Sequence, residues 1–305
     1  MKITIIGAGN VGSSCASLLA QKDIVRKVVL LDIQEKLSEG KSLDISQMLP
    51  IMKSNTKLIG ITNDYSESSN SEIIIITCGI TRKPGMSRDD LVKTNAEIIR
   101  TVTEKSIFFS PQAKFIIVSN PLDVMSYVSY MTIQINPYRI IGMAGILDST
   151  RYRFFLSKKL NISPIDIQSL LLGGHGDTMV PLYRYTSVSG IPIKEFLSEE
   201  ENNTIIEKTK KGGEEIVNLL GTSAWMAPSA SVVEIVEAIL KDSKRIFSCS
   251  AFLRGEYGLK DLYLGVPVIL GKSGIEKIVE LQLNEKEYNL LKKSANHVKS
   301  MIEKI

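Results

Sequence analysis

The segment Gly7-Ala8-Gly9-Asn10-Val11-Gly12 sits directly behind the β-branched run Ile3 to Ile6 and opens a stretch of helical spacing. No other feature restricts the fold as much, because this glycine spacing has physical meaning only as a strand, a tight turn and a helix start. Gly7 permits the turn, Gly9 lets the backbone approach a pyrophosphate, and Gly12 allows helix to pack closely on strand. The helix start, from Asn10 and Val11, then offers unpaired N–H groups and a positive dipole end to phosphates. Such turns are common, and Asp32 makes this one specific. It ends the second strand about twenty residues beyond the last glycine, where a carboxylate can accept hydrogen bonds from ribose hydroxyls; the alternative is a turn cap. A carboxylate there repels a 2′-phosphate, and Ile33 brings no arginine, so NAD is expected rather than NADP.

The first half of the chain repeats the same rhythm. Apolar runs at Ile3 to Ile6, Val28 to Leu31, Ile73 to Ile76 and Phe115 to Val118 alternate with helical spacing at Asn10 to Lys22, Gln34 to Met48 and Asp89 to Phe108. Short, wholly apolar strands separated by crossover helices predict an α/β fold, a Rossmann-type doubly wound parallel sheet covered on both faces. After Ile140 to Ala144 the pattern changes to a helix from Leu147 to Leu160, mixed strands around 167–186, longer helices at 203–220 and 228–240, strands at 245–253 and 266–270, and a terminal helix from Asn284. An α+β substrate and catalytic domain over 144–305 is therefore expected behind a nucleotide-binding domain over 1–143, with a cleft between them.

Bulk properties exclude several function classes. In 305 residues, 44% hydrophobic and 23% charged, a sizeable core can be buried. The net charge of +4 is small, and the lysines are scattered without aromatic interleaving, which argues against nucleic acid. Cys15, Cys78 and Cys249 are odd in number and unpaired in spacing, so neither a disulfide framework nor a metal site is expected. No run approaches the roughly 20 apolar residues of a membrane span, and strand residues begin at Lys2 with no room for a signal peptide ahead of them. A cytoplasmic enzyme with reduced thiols is expected.

His175 is one of only two histidines. Gly173-Gly174-His175-Gly176-Asp177 strips the imidazole of neighbouring bulk, the setting of a proton-transferring base, although a lone histidine is often structural. Arg82, Arg88, Asn120 and Arg151 together suit a dicarboxylate. Arg82, Lys83 and Arg88 fall in the Gly79-to-Arg88 segment behind a strand end, where ligands of doubly wound sheets gather; by itself that segment reads as a solvated loop. His297, on a lysine-rich helix, reads as a surface residue, and Trp225 as core or interface packing.

Taken in order, the strings Gly7 to Gly12, Arg82 to Arg88, Ser119-Asn120-Pro121-Leu122-Asp123, Leu147-Asp148-Ser149-Thr150-Arg151 and Gly173 to Asp177 resemble the lactate and malate dehydrogenase family. Within it they are most similar to the malate enzymes built like lactate dehydrogenases. Lys211-Gly212-Gly213 and Gly265-Val266-Pro267 extend the resemblance over essentially the whole chain. It implies that His175 is the general base, with Asp148 on its other ring nitrogen; an N-cap role for Asp148 stays open. It implies that Arg151 clamps the carboxylate beside the carbinol carbon, that Arg88 polarises the substrate oxygen, and that Asn120 donates nearby. Asn95, Val118, Ser119 and Asn120 are implied contacts of the nicotinamide half. Arg82 occupies the position that meets a second carboxylate, and Thr222-Ser223-Ala224 the facing wall.

The implied activity is reversible NAD-dependent oxidation of malate, a step of the tricarboxylic acid cycle, by a homodimer or homotetramer without metal. A lactate or broader 2-hydroxy acid dehydrogenase is the nearer rival. A non-catalytic nucleotide-binding protein is the remoter one, disfavoured because every implied catalytic position is filled.

Overall fold

The computed structural model describes residues 1–80 and 88–305. Six parallel strands come first: β1 (Lys2–Ile6), β2 (Lys27–Asp32), β3 (Lys57–Thr62), β4 (Ile73–Ile76), β5 (Lys114–Ile117) and β6 (Ile140–Gly142). They lie in the spatial order β3-β2-β1-β4-β5-β6, the double winding expected of the glycine fingerprint. Apart from the half-buried Ile59 and Ile61 of the edge strand β3, their apolar side chains are buried on both faces, with Ile73 to Ile76 wholly excluded from water, which is why the inner strands read as unbroken hydrophobic runs rather than alternating ones.

The connecting helices are α1 (Asn10–Lys22), α2 (Leu37–Met52), α3 (Arg88–Phe109) and α4 (Leu122–Ile133). Helix α2 starts three residues later than its spacing predicts because Asp32 takes the Gln34 amide at 2.9 Å, and the chain turns through a left-handed Lys36 before coiling. Strand β3 and helix α4 were not anticipated. Most of the first two turns of α4 is buried, so no polar stripe marks its period.

The second half opens with α5 (Ala144–Leu160), followed by the two-residue strands β7 (Ile167–Gln168), β8 (Leu171–Leu172), β9 (Val180–Pro181), β10 (Ser187–Val188) and β11 (Ile191–Pro192). Helices α6 (Glu199–Leu220) and α7 (Met226–Leu240), strands β12 (Arg245–Arg254), β13 (Lys260–Gly271) and β14 (Gly274–Ile278), and helix α8 (Glu285–Ile302) complete it. Capping boxes at Ser198 with Glu201 and at Asn284 with Glu287 fix the starts of α6 and α8.

The sheet does not stop where the sequence rhythm changes. β12 joins the edge of β6 antiparallel, with Ser250 opposite Gly142, and β13 and β14 extend the array to nine strands. One hydrophobic cluster accordingly runs from Ile3 through Met143 to Val298. A smaller cluster under α5 and the short strands holds Tyr152, Leu156 and Ile193.

Candidate active site

The fingerprint turn lies at the carboxyl end of β1. Gly7 has φ +105° and donates its N–H to Leu31 at 2.8 Å. A Cβ on Gly12 would stand 1.8 Å from the Gly7 oxygen, whereas one on Gly9 would meet nothing within 4 Å. One glycine therefore closes the turn from inside and another leaves the outer face open to a ligand. Asp32 accepts from the Ala8 amide at 2.6 Å and keeps acceptor capacity to spare, since a carboxylate offers about four lone-pair sites. The Lys41 ammonium, a contact not anticipated from the sequence, donates to the Ala8 carbonyl at 2.7 Å. With Asn10 and Val11 starting α1, this cradle fits a dinucleotide diphosphate beside a ribose-reading carboxylate.

The loop carrying His175 is fastened through its backbone. Gly173 exchanges hydrogen bonds with Gly265 of β13 at 2.9 and 3.2 Å, Gly174 donates to Ser294 Oγ of α8 at 2.8 Å, and His175 donates its amide to Asp123 Oδ2 at 3.0 Å. The ring is fixed separately, with Nδ1 2.9 Å from Asp148 Oδ2. The imidazole remains 20% exposed and the Asp148 carboxylate 3%, so one ring nitrogen is committed and the other is reachable. Burial works to lower the pKa of His175, but the adjacent Asp148 charge and hydrogen bond outweigh it and the net shift is upward. Asp148 stands inside α5, whose N-cap is Met143; the alternative of an N-cap aspartate is overturned.

Arg151 lies one turn beyond Asp148, with its guanidinium 3.8 Å from the carboxylate and 16% exposed. Its Nε is buried with no partner among the described residues, an arrangement that leaves a charged donor for an anion. Asn120 is exposed and lines a cavity of about 350 Å³ together with Asn95, Asp123, His175, Ser223 and His297. Arg151 does not line that cavity and approaches His175 through Asp148. Asn95 is 2% exposed, and its amide is spent on Ile80 N–H at 2.9 Å, Ile80 carbonyl at 3.2 Å and the Asn120 carbonyl at 2.9 Å. It ties two loops together. Val118 and Ser119 are buried, Val118 donating to Ile76 at 2.9 Å and Ser119 Oγ to the Cys78 carbonyl. Arg82 lies outside the described residues, and Arg88 opens α3 with its side chain outside them.

His297 corrects the sequence reading. It sits on α8 and faces the cavity with Val298 and Met301; the lysines that made the helix look like a solvated surface occupy its other side. Ser223 reaches the same cavity, and Trp225 is half-buried at the start of α7. Burial pushes the Cys78 thiol up to about 12, which leaves it protonated and unreactive. Among the described residues no group of three or more His, Cys, Asp or Glu is placed to hold a metal ion, and no helix is long and apolar enough to cross a membrane.

Comparison with known proteins agrees with this geometry over the full length. Residues 1–142 match the family profile described as lactate/malate dehydrogenase, NAD binding domain, and residues 146–305 match lactate/malate dehydrogenase, alpha/beta C-terminal domain. A malate dehydrogenase of Cytophaga hutchinsonii is 54% identical over 302 residues, 99% of this chain and 97% of the relative. One from Chloroherpeton thalassium is 49% identical over 306 residues, 100% of this chain and 98% of the relative. The solved malate dehydrogenase of Salinibacter ruber superposes with a TM-score of 0.95 at 47% identity, covering 100% of this chain and 97% of that one. A Cryptosporidium parvum lactate dehydrogenase solved with lactic acid and NAD also gives 0.95, at 37% identity over 99% and 96% of the two chains. With a dinucleotide cradle at one end of the sheet and a carboxylate-paired histidine facing an asparagine-lined cavity, the chain belongs to the lactate/malate dehydrogenase family.

Proposed function

We propose that this chain is an NAD-dependent malate dehydrogenase, interconverting (S)-malate and oxaloacetate. The observation that carries the reading is the His175–Asp148 pair, 2.9 Å apart, opening onto one cavity with Asn120. In malate oxidation the free ring nitrogen of His175 takes the hydroxyl proton while Nδ1–H donates to Asp148, which fixes the tautomer and stabilises the imidazolium. NAD, when bound, supplies the hydride acceptor. In the opposite direction the imidazolium returns the proton. Arg88 polarises the substrate oxygen, Arg151 holds the nearer carboxylate, and Arg82 the farther one. Gly7 to Gly12 and Asp32 hold the cofactor, and Asn95 and Val118 to Asn120 shape its nicotinamide end. We assign cofactor binding to residues 1–143 and substrate binding to 144–305.

The lactate dehydrogenase of identical fold quality makes clear that architecture does not select the substrate. The charge at Arg82 does: two unit charges in contact interact by about 4 kcal/mol at an intermediate dielectric, before desolvation is subtracted. Parallel assays of NADH oxidation with oxaloacetate, pyruvate and 2-oxoglutarate test this, and oxaloacetate is expected to have the highest kcat/KM. In Arg82→Gln the preference for oxaloacetate over pyruvate should fall by about tenfold to a hundredfold, the loss of 1.4–2.7 kcal/mol. A wild type that prefers pyruvate makes the protein a lactate enzyme.

Arg151→Lys keeps the charge and discards the planar fork. The KM for oxaloacetate is expected to rise by roughly tenfold to a hundredfold with the NADH Kd unmoved; an unchanged KM removes Arg151 from the substrate site. We further place the protein in the cytoplasm and read it as a homodimer or homotetramer, in which exposed apolar side chains such as Leu43 and Ile51 of α2 and Phe154 of α5 would be candidates for the subunit contact.

A further inference from the structure

We propose that Asp123 is a positioning residue for the base: a second buried carboxylate that sets the seat of His175 through the main chain and, by its charge, its hold on the proton. This rests on the reading of His175 as the proton-transferring group. Asp123 stands in the first turn of α4 and is 4% exposed. Its Oδ1 accepts from Ser250 Oγ of β12 at 2.6 Å and its Oδ2 from the His175 amide at 3.0 Å. A Cβ on Gly174 would stand 3.2 Å from that same Oδ2, so the loop is glycine where it settles onto the carboxylate.

A hydroxyl or amide would serve as well for holding one amide, and enclosing a carboxylate costs several kcal/mol unless it is compensated. Compensation is present on three sides. Two donors point at its oxygens, the start of α4 presents its positive dipole end, and the imidazolium of His175 forms beside it. Burial pushes the Asp123 carboxyl up from its ordinary range, with the Ser250 and His175 donors pulling it back and the Asp148 charge adding to the rise. Asp123 in turn adds to the upward shift of His175, so each favours the charged form of the other. Among the described residues, Asp148 and Arg151 from α5 also act on His175, and Asp177 of its own loop and His297 from α8 line the same cavity.

Asp123→Asn separates charge from shape. The amide oxygen can accept from His175 N–H and the amide nitrogen can donate to Ser250, so the contacts persist while the negative charge is lost. Because the chain has two histidines, the ring C2–H signals of His175 and His297 can be titrated individually by NMR, without turnover. The His175 midpoint is expected above that of a free imidazole in the wild type and about half a unit to one unit lower in Asp123→Asn, with the NADH Kd unmoved. Malate oxidation needs the neutral imidazole and rises with pH through this midpoint, so its acidic limb should move down equally. Should Asp123→Asn not fold, Ser250→Ala weakens the carboxylate's support and should move the midpoint the same way by less. A His175 midpoint equal to wild type within error, in whichever variant folds, overturns the proposal. That readout stands even if a His175 variant proves active and the assignment of the base itself fails.

Discussion

A His175→Asn enzyme is expected to oxidise malate about a hundredfold to ten-thousandfold more slowly than the wild type, the usual worth of a positioned proton-transferring group. Asparagine fills a comparable volume and can still donate to Asp148, so the cavity wall should survive the change. It cannot take up a proton at neutral pH. NADH titrated by fluorescence should bind within roughly threefold of the wild-type Kd, about 0.7 kcal/mol, because the fingerprint turn and Asp32 sit on other elements. A joint loss of turnover and cofactor binding would mean that the loop had collapsed rather than that a proton acceptor had been removed. Turnover close to wild type would take His175 out of the chemistry altogether.

Gly12→Ala strikes the opposite edge of the site. The added methyl would stand 1.8 Å from the Gly7 carbonyl oxygen and 2.9 Å from Thr77 Oγ1. A threonine side chain can rotate aside, but a backbone oxygen inside a tight turn moves only if the turn opens. Overpacking of this kind costs about 1–3 kcal/mol, and here the strain falls on the backbone that we propose cradles the diphosphate. NADH affinity is expected to fall by about a hundredfold, or 2.7 kcal/mol, and the melting temperature of the free protein should drop by a few degrees, since 1 kcal/mol moves a protein of 150–250 residues by about 2–4 °C and a longer one by less. Isothermal titration and thermal unfolding check both, and an unchanged Kd would mean that the turn is not where the cofactor's phosphates rest.

The Gly7-to-Gly12 turn and the strand-end Asp32 were legible in the sequence almost completely, because their geometry is local. A glycine at a forced φ, a helix start and a carboxylate at a strand end are all written within about thirty residues. His175 stood out in the sequence through its glycine-rich pentapeptide, but its pairing with Asp148 was legible only through resemblance, since 27 positions separate them and no short-range rule brings them together. Elements whose surroundings are apolar on every side left no period to read, as with α4. Strand β13 runs from Lys260 to Gly271, six residues ahead of its expected start, because its charged first residues look like a loop until β12 is laid beside them. His297 was misread for a related reason. Lysine-rich composition describes the average of a helix, whereas the cavity is lined by one narrow face of it. Asp123 lies within the string Ser119 to Asp123, but its partners, Ser250 and the His175 amide, come from strands and loops too far along the chain for a local pattern to show its role.

The joining of β12 to β6 means that the nucleotide edge and the imidazole are built on a single slab rather than on two bodies with a joint. The separation between them is fixed when the chain folds, so ligands need not spend affinity on bringing the two halves together. Cut at the seam, the first half would present the bare rim of β6 to water, while β12, β13 and β14 would keep their register on one another.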